Sequence, residues 1–426
     1  MARLHEFRDP IHGFVRVDDD ERRLVDSRPF QRLRHIHQLA TTYLVYPGTT
    51  HRRFEHSLGV MELAGRVYDV VTSNLDDSVR GTIRELQKSQ SSEYWRGVLR
   101  LAALLHDIGH LPFSHAAEKE LLPKGYDHER LTRELIRRDP SLLQIWKDWN
   151  PPILPEHVAR VAVGAQEGEE LNRWEGLLHE IIADDAFGVD RMDYLLRDAH
   201  HAGVAYGRFD HYRLIDTLRI LLEPGTMRPR LGVEAGGLQA AESLLLARYL
   251  MYSQVYFHPV RRAYDHHLKE FLTSWLPGGA FETDVASFLK RTDNEVTAAI
   301  LEAAYDPQKL GHGPARRLVC RKHFRVLYES TPSDPQTFAD EFATELRQRV
   351  EPSLVFVDSY LQKMSSVDFP VSLRDGRVVS SLQQSQVLQN LPMLALKKVY
   401  IAPEEQHEGL SLLSEFRRRR KEKEAS

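Results

Sequence analysis

The feature that most constrains this sequence is a run of histidines that directly follows an apolar stretch. Residues 106–115 (H-D-I-G-H-L-P-F-S-H) hold three histidines and one aspartate, and residues 98–105 are almost all apolar. Burial of the apolar stretch would carry His106 and Asp107 into the interior, where ionisable groups are costly unless they are paired or bound to a metal. Imidazole and carboxylate together suit a divalent ion that activates water.

The geometry of this run depends on where the preceding helix ends. If the helix continued, His106 and His110 would share one face, because they are four residues apart. Asp107 is rotated by about 100° from His106 on a helix, so it reaches the same ion only near a helix end. Gly109 and Pro112 indicate such an end, because both discourage helix continuation. For each histidine taken singly, a surface or hydrogen-bonded residue is the alternative.

Two further segments carry ionisable side chains in helical patterns. Residues 51–60 (H-R-R-F-E-H-S-L-G-V) place two histidines and two arginines ahead of a helical pattern, and residues 187–198 carry three aspartates. On a helix, Asp190 shares a face with Asp193 and Tyr194. The alternatives are a solvated helix start and a solvated face with Arg–Asp pairs, and each segment alone favours its alternative.

Taken together, these positions resemble a known signature. His56, His106 with Asp107, and Asp190 resemble the ordered H…HD…D pattern of the HD-domain metal-dependent phosphohydrolases. Longer stretches are similar to the deoxynucleoside triphosphate (dNTP) triphosphohydrolases, which include the SAM-and-HD-domain enzyme of animals and its bacterial relatives. The similar stretches are residues 9–13, 30–34, 38–39, 51–60, 106–115, 190–201 and 261–264. The resemblance spans most of the chain, and we expect no SAM domain ahead of the core.

The resemblance implies a catalytic role for several residues. One divalent ion per subunit would be bound by His56, His106, Asp107 and Asp190. The residues around the scissile phosphate would be His110, His115, His128 and Glu129, with Arg53 in contact with phosphate. His115 is the preferred general acid, and the proton roles among the three histidines stay open. The mixed nitrogen and oxygen donors are compatible with iron, manganese, magnesium or zinc.

The resemblance also implies substrate and regulatory positions. The sugar 3′-hydroxyl would be held by Gln38 and Asp198, and the sugar would be walled by Leu39, Tyr194 and Tyr264. A site that binds an activating guanine nucleotide in the animal enzyme matches Asp26, Gln31 and Arg34. A surface ion pair on a polar helix face is the alternative for these three. In related enzymes that site lies between subunits, so the resemblance implies a homo-oligomer.

Composition restricts the class of protein. The chain has 426 residues, of which 42% are hydrophobic and 28% are charged, as in an ordinary globular protein. A net charge of −4 provides no global attraction for nucleic acid. The single cysteine, Cys320, excludes an intramolecular disulfide and fits a reducing compartment. No signal region or membrane-spanning apolar run is evident, so we expect a cytoplasmic protein without a membrane partner.

The apolar periodicity predicts a mainly α fold. We expect an HD-domain helical core over residues 1–305 and a smaller C-terminal α/β region over residues 306–426. Helical recurrence predicts helices over 58–71, 96–105, 129–136, 176–182 and 242–252. Strand-like patterns occur at 14–17, 353–357 and 398–401. The charged tail at 417–424 is typical of a solvated, frayed end, and a nucleic-acid contact is less favoured.

The leading functional hypothesis is metal-dependent hydrolysis of dNTPs to deoxynucleoside and triphosphate. The alternative is an HD-type phosphodiesterase or nuclease acting on another nucleotide or on single-stranded nucleic acid, because one scaffold serves several phosphoester chemistries. A third hypothesis is a nucleotide-sensing module without activity. All four ligand positions are filled, and this favours an enzyme over the sensor.

Overall fold

The computed structural model describes residues 4–83, 85, 89–114, 118–166, 168–223, 225–331, 333–361, 367–392 and 395–424. The described chain is mainly helical, as the sequence predicts. The first helices are α1 (Asp19–Val25), α2 (Arg28–Arg32), α3 (Arg53–Ser73), α4 (Asp77–Arg80), α5 (Ser89–Leu105), α6 (Glu118–Leu121), α7 (His128–Arg138), α8 (Pro140–Asp148), α9 (Pro155–Val163) and α10 (Arg173–Ala183). The later helices are α11 (Val189–Ala202), α12 (His211–Thr217), α13 (Leu238–Met251), α14 (Pro259–Trp275), α15 (Val285–Phe288), α16 (Asp293–Tyr305), α17 (His312–Val319), α18 (Phe338–Arg349), α19 (Ser381–Gln384), α20 (Gln386–Gln389) and α21 (Gln406–Glu424).

The strands form three small sheets. They are β1 (His5–Asp9), β2 (Gly13–Val17), β3 (Leu218–Leu222), β4 (Pro229–Glu234), β5 (Arg325–Glu329), β6 (Val355–Leu361), β7 (Pro370–Ser372), β8 (Val378–Ser380) and β9 (Ala395–Ile401). Strands β1 and β2 form an antiparallel hairpin in which Asp9 pairs with Gly13. A second sheet has the order β3-β4-β7-β8, and a third has the order β5-β9-β6. In the second sheet only β4 and β7 pair in parallel.

Contacts within the chain define two compact units, and both are discontinuous in sequence. The first falls within Met1–Met251, Phe281–Glu295 and Ser366–Leu391. The second falls within Tyr252–Ala280, Val296–Ser365 and Pro392–Ser426. The division into residues 1–305 and 306–426 stays a prediction, and these units interleave along the chain instead of meeting at one boundary.

The core of the first unit is built on helices that are buried on most sides. In α5, Val98, Leu101, Leu104 and Leu105 are all 0% exposed. Helices α3 and α5 pack together, and α11 packs on α3. Burial of an apolar side chain of this size stabilises the folded state by about 1.5–3 kcal/mol. This packing explains why α5 delivers its C-terminal end to the interior.

The second unit carries its own apolar core. Strands β5, β6 and β9 pack with α18 and α21 through side chains that include Phe342, Leu346, Val399 and Phe416. Helix α21 is continuous to Glu424, and Arg420 Nη1 lies 3.0 Å from Glu341 Oε2 on α18. The expectation of a frayed tail over the described residues 417–424 is therefore wrong, because acidic side chains of α18 pair with the basic run.

The predicted elements correspond closely to the observed ones. The five predicted helices lie in α3, α5, α7, α10 and α13, except that Tyr252 begins a short π-helix, Tyr252–Tyr256. The predicted strand stretches overlap β2, β6 and β9, whereas β1, β3, β4, β5, β7 and β8 were not predicted. A short apolar run such as residues 218–222 (L-R-I-L-L) does not distinguish a strand from a buried helix by periodicity alone. None of the described helices combines the length and apolar composition needed to cross a lipid bilayer.

Candidate metal centre

Helix α3 supplies the first predicted ligand, His56. The helix begins after Arg52, whose backbone N donates to the Glu55 carboxylate at 2.7 Å and so satisfies a group at the helix start. His56 lies one turn inside the helix and is 0% exposed. Its Nδ1 lies 2.8 Å from Asp193 Oδ2 on α11. This contact orients the ring so that Nε2 points away from Asp193.

The end of α5 supplies His106 and Asp107. The helix ends at Leu105, so both residues lie in the turn that follows, and His106 and His110 do not share a helix face. His106 Nδ1 donates to the carbonyl of Ala103 at 2.8 Å. As in His56, Nε2 is therefore the nitrogen left to face the centre.

The turn itself is shaped by close approach and by backbone strain. A Cβ on Gly109 would clash with the backbone of His128 and Thr132 in α7. A glycine is therefore needed at the point where the turn packs against the start of α7. Phe113 and Ser114 adopt left-handed backbone conformations with φ of 56° and 50°. Such conformations cost non-glycine residues about 1–3 kcal/mol each. They persist here because surrounding groups hold the turn.

Two buried residues from elsewhere in the first unit hold this turn. The backbone N of Phe113 donates to Asp293 Oδ1 at 2.7 Å. Arg32 Nη1 donates to the carbonyl of His110 at 2.9 Å. Sequence reasoning did not identify Arg32 or Asp293 as part of the site, because neither lies near the signature in the chain.

Helix α11 supplies Asp190 at its start. Asp190 Oδ1 lies 3.0 Å from His56 Nε2 and 3.6 Å from His106 Nε2. Ligand atoms of these three residues all lie within 4.8 Å of one another. The Nε2 atoms of both histidines are buried and make no hydrogen bond of good geometry to the described residues. Two unsatisfied nitrogens facing one carboxylate are the arrangement that a bound cation would complete.

Asp107 lies at the same centre but is drawn towards an arginine. Its Oδ1 lies 3.3 Å from His106 Nε2, and its Oδ2 lies 3.7 Å from His56 Nε2. Arg53 Nη1 makes an ion pair with Asp107 Oδ2, and Arg53 Nε donates to Ser114 Oγ at 2.7 Å. The structure thus brings all four predicted ligands together, and it places Arg53 against one of them.

The electrostatics of the centre favour a cation. Burial lowers the pKa of His56, but the nearby carboxylates of Asp190 and Asp193 raise it to about 10. Burial opposes ionisation of Asp107, yet Arg53 and the neighbouring histidines hold its pKa well below the usual range. The carboxylates are thus ionised, and His56 holds an extra proton that a divalent ion would replace.

The four side chains fit a divalent metal ion. They offer two imidazole nitrogens and two carboxylates, a donor set that suits first-row transition metals and tolerates magnesium. Each histidine has its other nitrogen engaged, by Asp193 for His56 and by the Ala103 carbonyl for His106. Such partners are typical of metal-binding histidines, because they orient the ring and set the tautomer.

Next to the centre lies a pair of stacked histidines. His110 Nε2 lies 3.2 Å from Asp107 Oδ1, and the His110 and His128 rings stack with centroids 4.1 Å apart. His128 Nδ1 lies 2.6 Å from Glu118 Oε1. Glu118 was not predicted, and a hydrogen-bonded carboxylate ten residues before a site histidine has no distinctive sequence signal. Glu129, which was predicted, is exposed in the first turn of α7.

The predicted sugar-binding residues lie partly in the first unit. Asp198 is buried, and its Oδ1 lies 2.7 Å from His51 Nε2. The backbone N of Gln38 donates to the His51 carbonyl at 3.1 Å, and the buried Gln38 Oε1 makes no hydrogen bond to described residues. Leu39 is 8% exposed. His51 thus joins Gln38 and Asp198, and sequence reasoning gave it no role.

The remaining predicted residues are Tyr194, Tyr264 and His115. Tyr194 lies on α11 between Asp190 and Asp198. Tyr264 is fully buried in α14 of the second unit, where its ring lies 4.7 Å from that of His323. His115 lies outside the described residues.

Comparison with known proteins identifies the family. The family model of the HD domain matches residues 53–198, and the family model of the HD associated region matches residues 209–402. A crystal structure of a hypothetical protein from Aquifex aeolicus has 34% sequence identity and a TM-score of 0.79, covering 96% of this chain and 100% of that one. The chain belongs to the HD-domain phosphohydrolase family.

Curated HD-domain relatives include named enzymes. Uncharacterized protein YwfO of Bacillus subtilis is 38% identical over 273 residues, which are 62% of this chain and 54% of that protein. The deoxynucleoside triphosphate triphosphohydrolase SAMHD1 of Gallus gallus is 34% identical over 240 residues, which are 50% of this chain and 36% of that enzyme. This HD-domain chain therefore matches about half the length of the Bacillus protein and a smaller share of the animal enzyme.

The three predicted regulatory residues of this HD-domain protein lie near one another. Arg34 Nε donates to Gln31 Oε1 at 2.9 Å, and Gln31 Nε2 donates to the carbonyl of Val25 at 2.7 Å. Asp26, the next residue, accepts from Arg22 Nε at 2.7 Å. The Arg34 guanidinium lies 3.5 Å from the centroid of the Phe54 ring.

Proposed function

We propose that this HD-domain protein hydrolyses dNTPs to deoxynucleoside and intact triphosphate, using one divalent metal ion per subunit. The observation that carries the proposal is the position of Asp107. This carboxylate lies 3.3 Å from His106 Nε2 and 3.2 Å from His110 Nε2, so it joins the metal donors to the stacked histidines. A metal donor set beside an acid–base pair is what phosphoester hydrolysis requires.

The metal donors would be His56, His106, Asp107 and Asp190. When bound, a divalent ion neutralises phosphate charge and lowers the pKa of water. Arg53 holds one oxygen of Asp107 and the hydroxyl of Ser114, so it couples this carboxylate to the strained turn. We propose that Arg53 also offers its remaining donors to a substrate phosphate, because a guanidinium can bind two partners at once.

The leaving sugar oxygen needs a proton, which a histidine can supply. His128 is hydrogen-bonded to Glu118, and that contact stabilises its protonated form. His110 lies against both His128 and Asp107, and it would orient groups at the phosphate. His115 stays our predicted general acid, and His128 with Glu118 is the second candidate for that role.

Substrate selection would fall to the residues near His51. We propose that Asp198 and Gln38 hold the sugar 3′-hydroxyl, because a buried carboxylate oxygen and a buried amide oxygen can each accept a hydrogen bond from a hydroxyl. Leu39 and Tyr194, which belong to the same unit, would line the sugar. The animal relatives are named as deoxynucleoside triphosphate triphosphohydrolases, and this name supports a deoxynucleotide substrate.

One assay tests the activity directly. The purified protein is incubated with each dNTP, each NTP, cyclic nucleotides and single-stranded DNA or RNA, in the presence of iron, manganese, magnesium or zinc. Products are identified by chromatography. The proposal predicts deoxynucleoside and triphosphate from dNTPs. Release of monophosphates from a cyclic nucleotide or a strand, without triphosphate, would instead support the HD-type phosphodiesterase or nuclease.

We further propose that the protein forms a homo-oligomer that responds to a guanine nucleotide. Gln31 and Arg34 are joined by a hydrogen bond, and Asp26 is adjacent to the carbonyl that Gln31 contacts. A carboxylate and a guanidinium together match the donor and acceptor edges of guanine. Light scattering, with dATP hydrolysis measured with and without GTP or dGTP, tests this. A monomer whose rate ignores both nucleotides would contradict it.

A further inference from the structure

A buried carboxylate lies behind His56, on the side away from the metal donors. Asp193 Oδ2 accepts from His56 Nδ1 at 2.8 Å and from Arg197 Nε at 2.8 Å. Asp193 Oδ1 accepts from His12 Nε2 at 2.7 Å and from Arg197 Nη2 at 2.9 Å. A carboxylate offers about four lone-pair sites, so its capacity is filled by these four donors.

The same network reaches the N-terminal hairpin. Arg197 Nη1 donates to Asp9 Oδ2 at 2.8 Å. Asp9 Oδ1 accepts from the backbone N atoms of Ile11 and His12, at 2.8 and 2.9 Å. The turn between β1 and β2 therefore fixes the backbone of His12, whose side chain in turn contacts Asp193. His12 is 181 residues from Asp193 in sequence.

The arrangement fixes the tautomer of His56. Both oxygens of Asp193 are acceptors, so His56 Nδ1 must carry the hydrogen of that contact. In the neutral imidazole the other nitrogen, Nε2, then carries the lone pair. That nitrogen is the one that lies 3.0 Å from Asp190 and 3.7 Å from Asp107.

Stability alone does not account for such a network. The side chains of His12, Asp193 and Arg197 are all 0% exposed. Buried ion pairs are often no more stabilising than apolar side chains of similar volume, because of the cost of desolvation. The helix α3 also leaves space for them, since a Cβ on Gly59 would clash with the Asp193 carboxylate.

We propose that His12, Asp193 and Arg197 are positioning residues that hold His56 ready to bind the metal ion. The inference rests on the metal centre of the proposed function. His12 and Arg197 act through Asp193, and Asp193 acts through His56. The N-terminal hairpin is thereby part of the metal site, although none of its residues is a ligand.

The test measures metal binding by the full chain, with Mn²⁺ as the probe. Metal-free protein is titrated with Mn²⁺, and the free ion is followed by its EPR signal. Asp193→Asn removes the carboxylate, His12→Phe removes a donor at similar volume, and His12→Gln keeps an N–H donor. The matched control is Glu21→Gln, which breaks the buried pair of Glu21 with Arg100 in the same unit, where Nη2 and Oε2 lie 2.9 Å apart.

We expect Asp193→Asn to weaken Mn²⁺ binding by about 10–100-fold, the usual cost of losing a partner of a metal-bound histidine. His12→Phe should weaken it by less, and His12→Gln should restore it. Glu21→Gln should lower thermal stability but leave Mn²⁺ affinity unchanged.

Four results decide the fate of the inference and of the proposed function. Unchanged Mn²⁺ affinity in folded His12→Phe and Asp193→Asn proteins would overturn the inference, as would equal loss in Glu21→Gln. An unsubstituted protein that binds Mn²⁺ but hydrolyses no dNTP would overturn the proposed function alone. An unsubstituted protein that binds no Mn²⁺ would overturn the positioning role together with the metal centre.

Discussion

The ring of His110 lies stacked on the ring of His128, with centroids 4.1 Å apart and planes inclined by 14°. Burial, Arg53 and His128 hold the pKa of His110 well below its usual range. Burial also lowers the pKa of His128, but the hydrogen bond and charge of Glu118 raise it overall. Groups whose surroundings separate their pKa values in this way are typical of acid–base sites. Of the two, His128 is therefore the one that is more readily protonated to the imidazolium form.

If His128 is the general acid, Glu118→Gln should shift the pH dependence of turnover. Loss of the carboxylate lowers the pKa of His128, so a smaller fraction of His128 is protonated near neutral pH. The alkaline limb of kcat should therefore move to lower pH. The measurement is kcat on dATP as a function of pH. The control is Glu134→Gln on α7, the helix that carries His128. An alkaline limb that stays in place would argue against His128 as the acid.

Substitution of the proposed acids should separate chemistry from metal binding. We expect His115→Ala and His128→Ala to keep the metal ion, because neither residue is a proposed ligand. The one that is the general acid should lose about 10²–10⁴-fold in turnover. Metal analysis and single-turnover rates of both proteins decide between them. Turnover close to that of the unsubstituted protein in His115→Ala at every pH would remove His115 from this role.

Substitution of a proposed metal ligand should remove the metal ion as well as the turnover. We expect His106→Ala, Asp107→Ala and Asp190→Ala to lose both bound metal and turnover while staying folded. Circular dichroism and elemental analysis measure the two properties. Asp148→Ala, which breaks a surface pair with Arg23, is the control for loss of a carboxylate. Full metal occupancy in Asp190→Ala would exclude Asp190 from the centre.

Discrimination between dATP and ATP tests the sugar assignment. We expect dATP to be the better substrate, because the animal relatives are named as deoxynucleoside triphosphate triphosphohydrolases. Asp198→Asn should raise the KM for dATP and leave the metal content of the protein unchanged, since Asp198 is predicted to hold the 3′-hydroxyl. Competition assays with the two nucleotides provide the ratio of kcat/KM. Equal values for dATP and ATP would contradict the assignment.

Gly59→Ala tests the packing of α3 against the buried ion pair of α11. A Cβ at this position would clash with the Asp193 carboxylate and with Arg197 Nη2. We expect a loss of about 1–3 kcal/mol in the free energy of unfolding, as for other overpacked sites. Gly97→Ala on α5 is the matched control, because its nearest neighbour would be Ile153 Cδ1 at 3.5 Å. The control should gain up to about 1 kcal/mol from helix propensity, and a similar gain at Gly59 would refute the clash.

The sequence by itself determined the chemical content of the site and most of the helices. His106 and Asp107 are neighbours in the chain and follow an apolar helix, so their burial and their suitability for a metal could be predicted from local pattern. His56 and Asp190 required the resemblance to a family, because a histidine or aspartate on a polar helix start has no local signal of its own.

Only the tertiary structure decided how these groups meet and which others support them. Glu118, His12 and Asp193 are recognisable as partners only when helices distant in sequence pack together, since a hydrogen bond depends on distance and angle in space. The short strands β3 and β4 were also decided by pairing, because a strand is stabilised by a neighbour that local pattern does not specify. The sequence and its resemblance to a family supply the proposed ligands, whereas the packing of α3, α5 and α11 brings their side chains together.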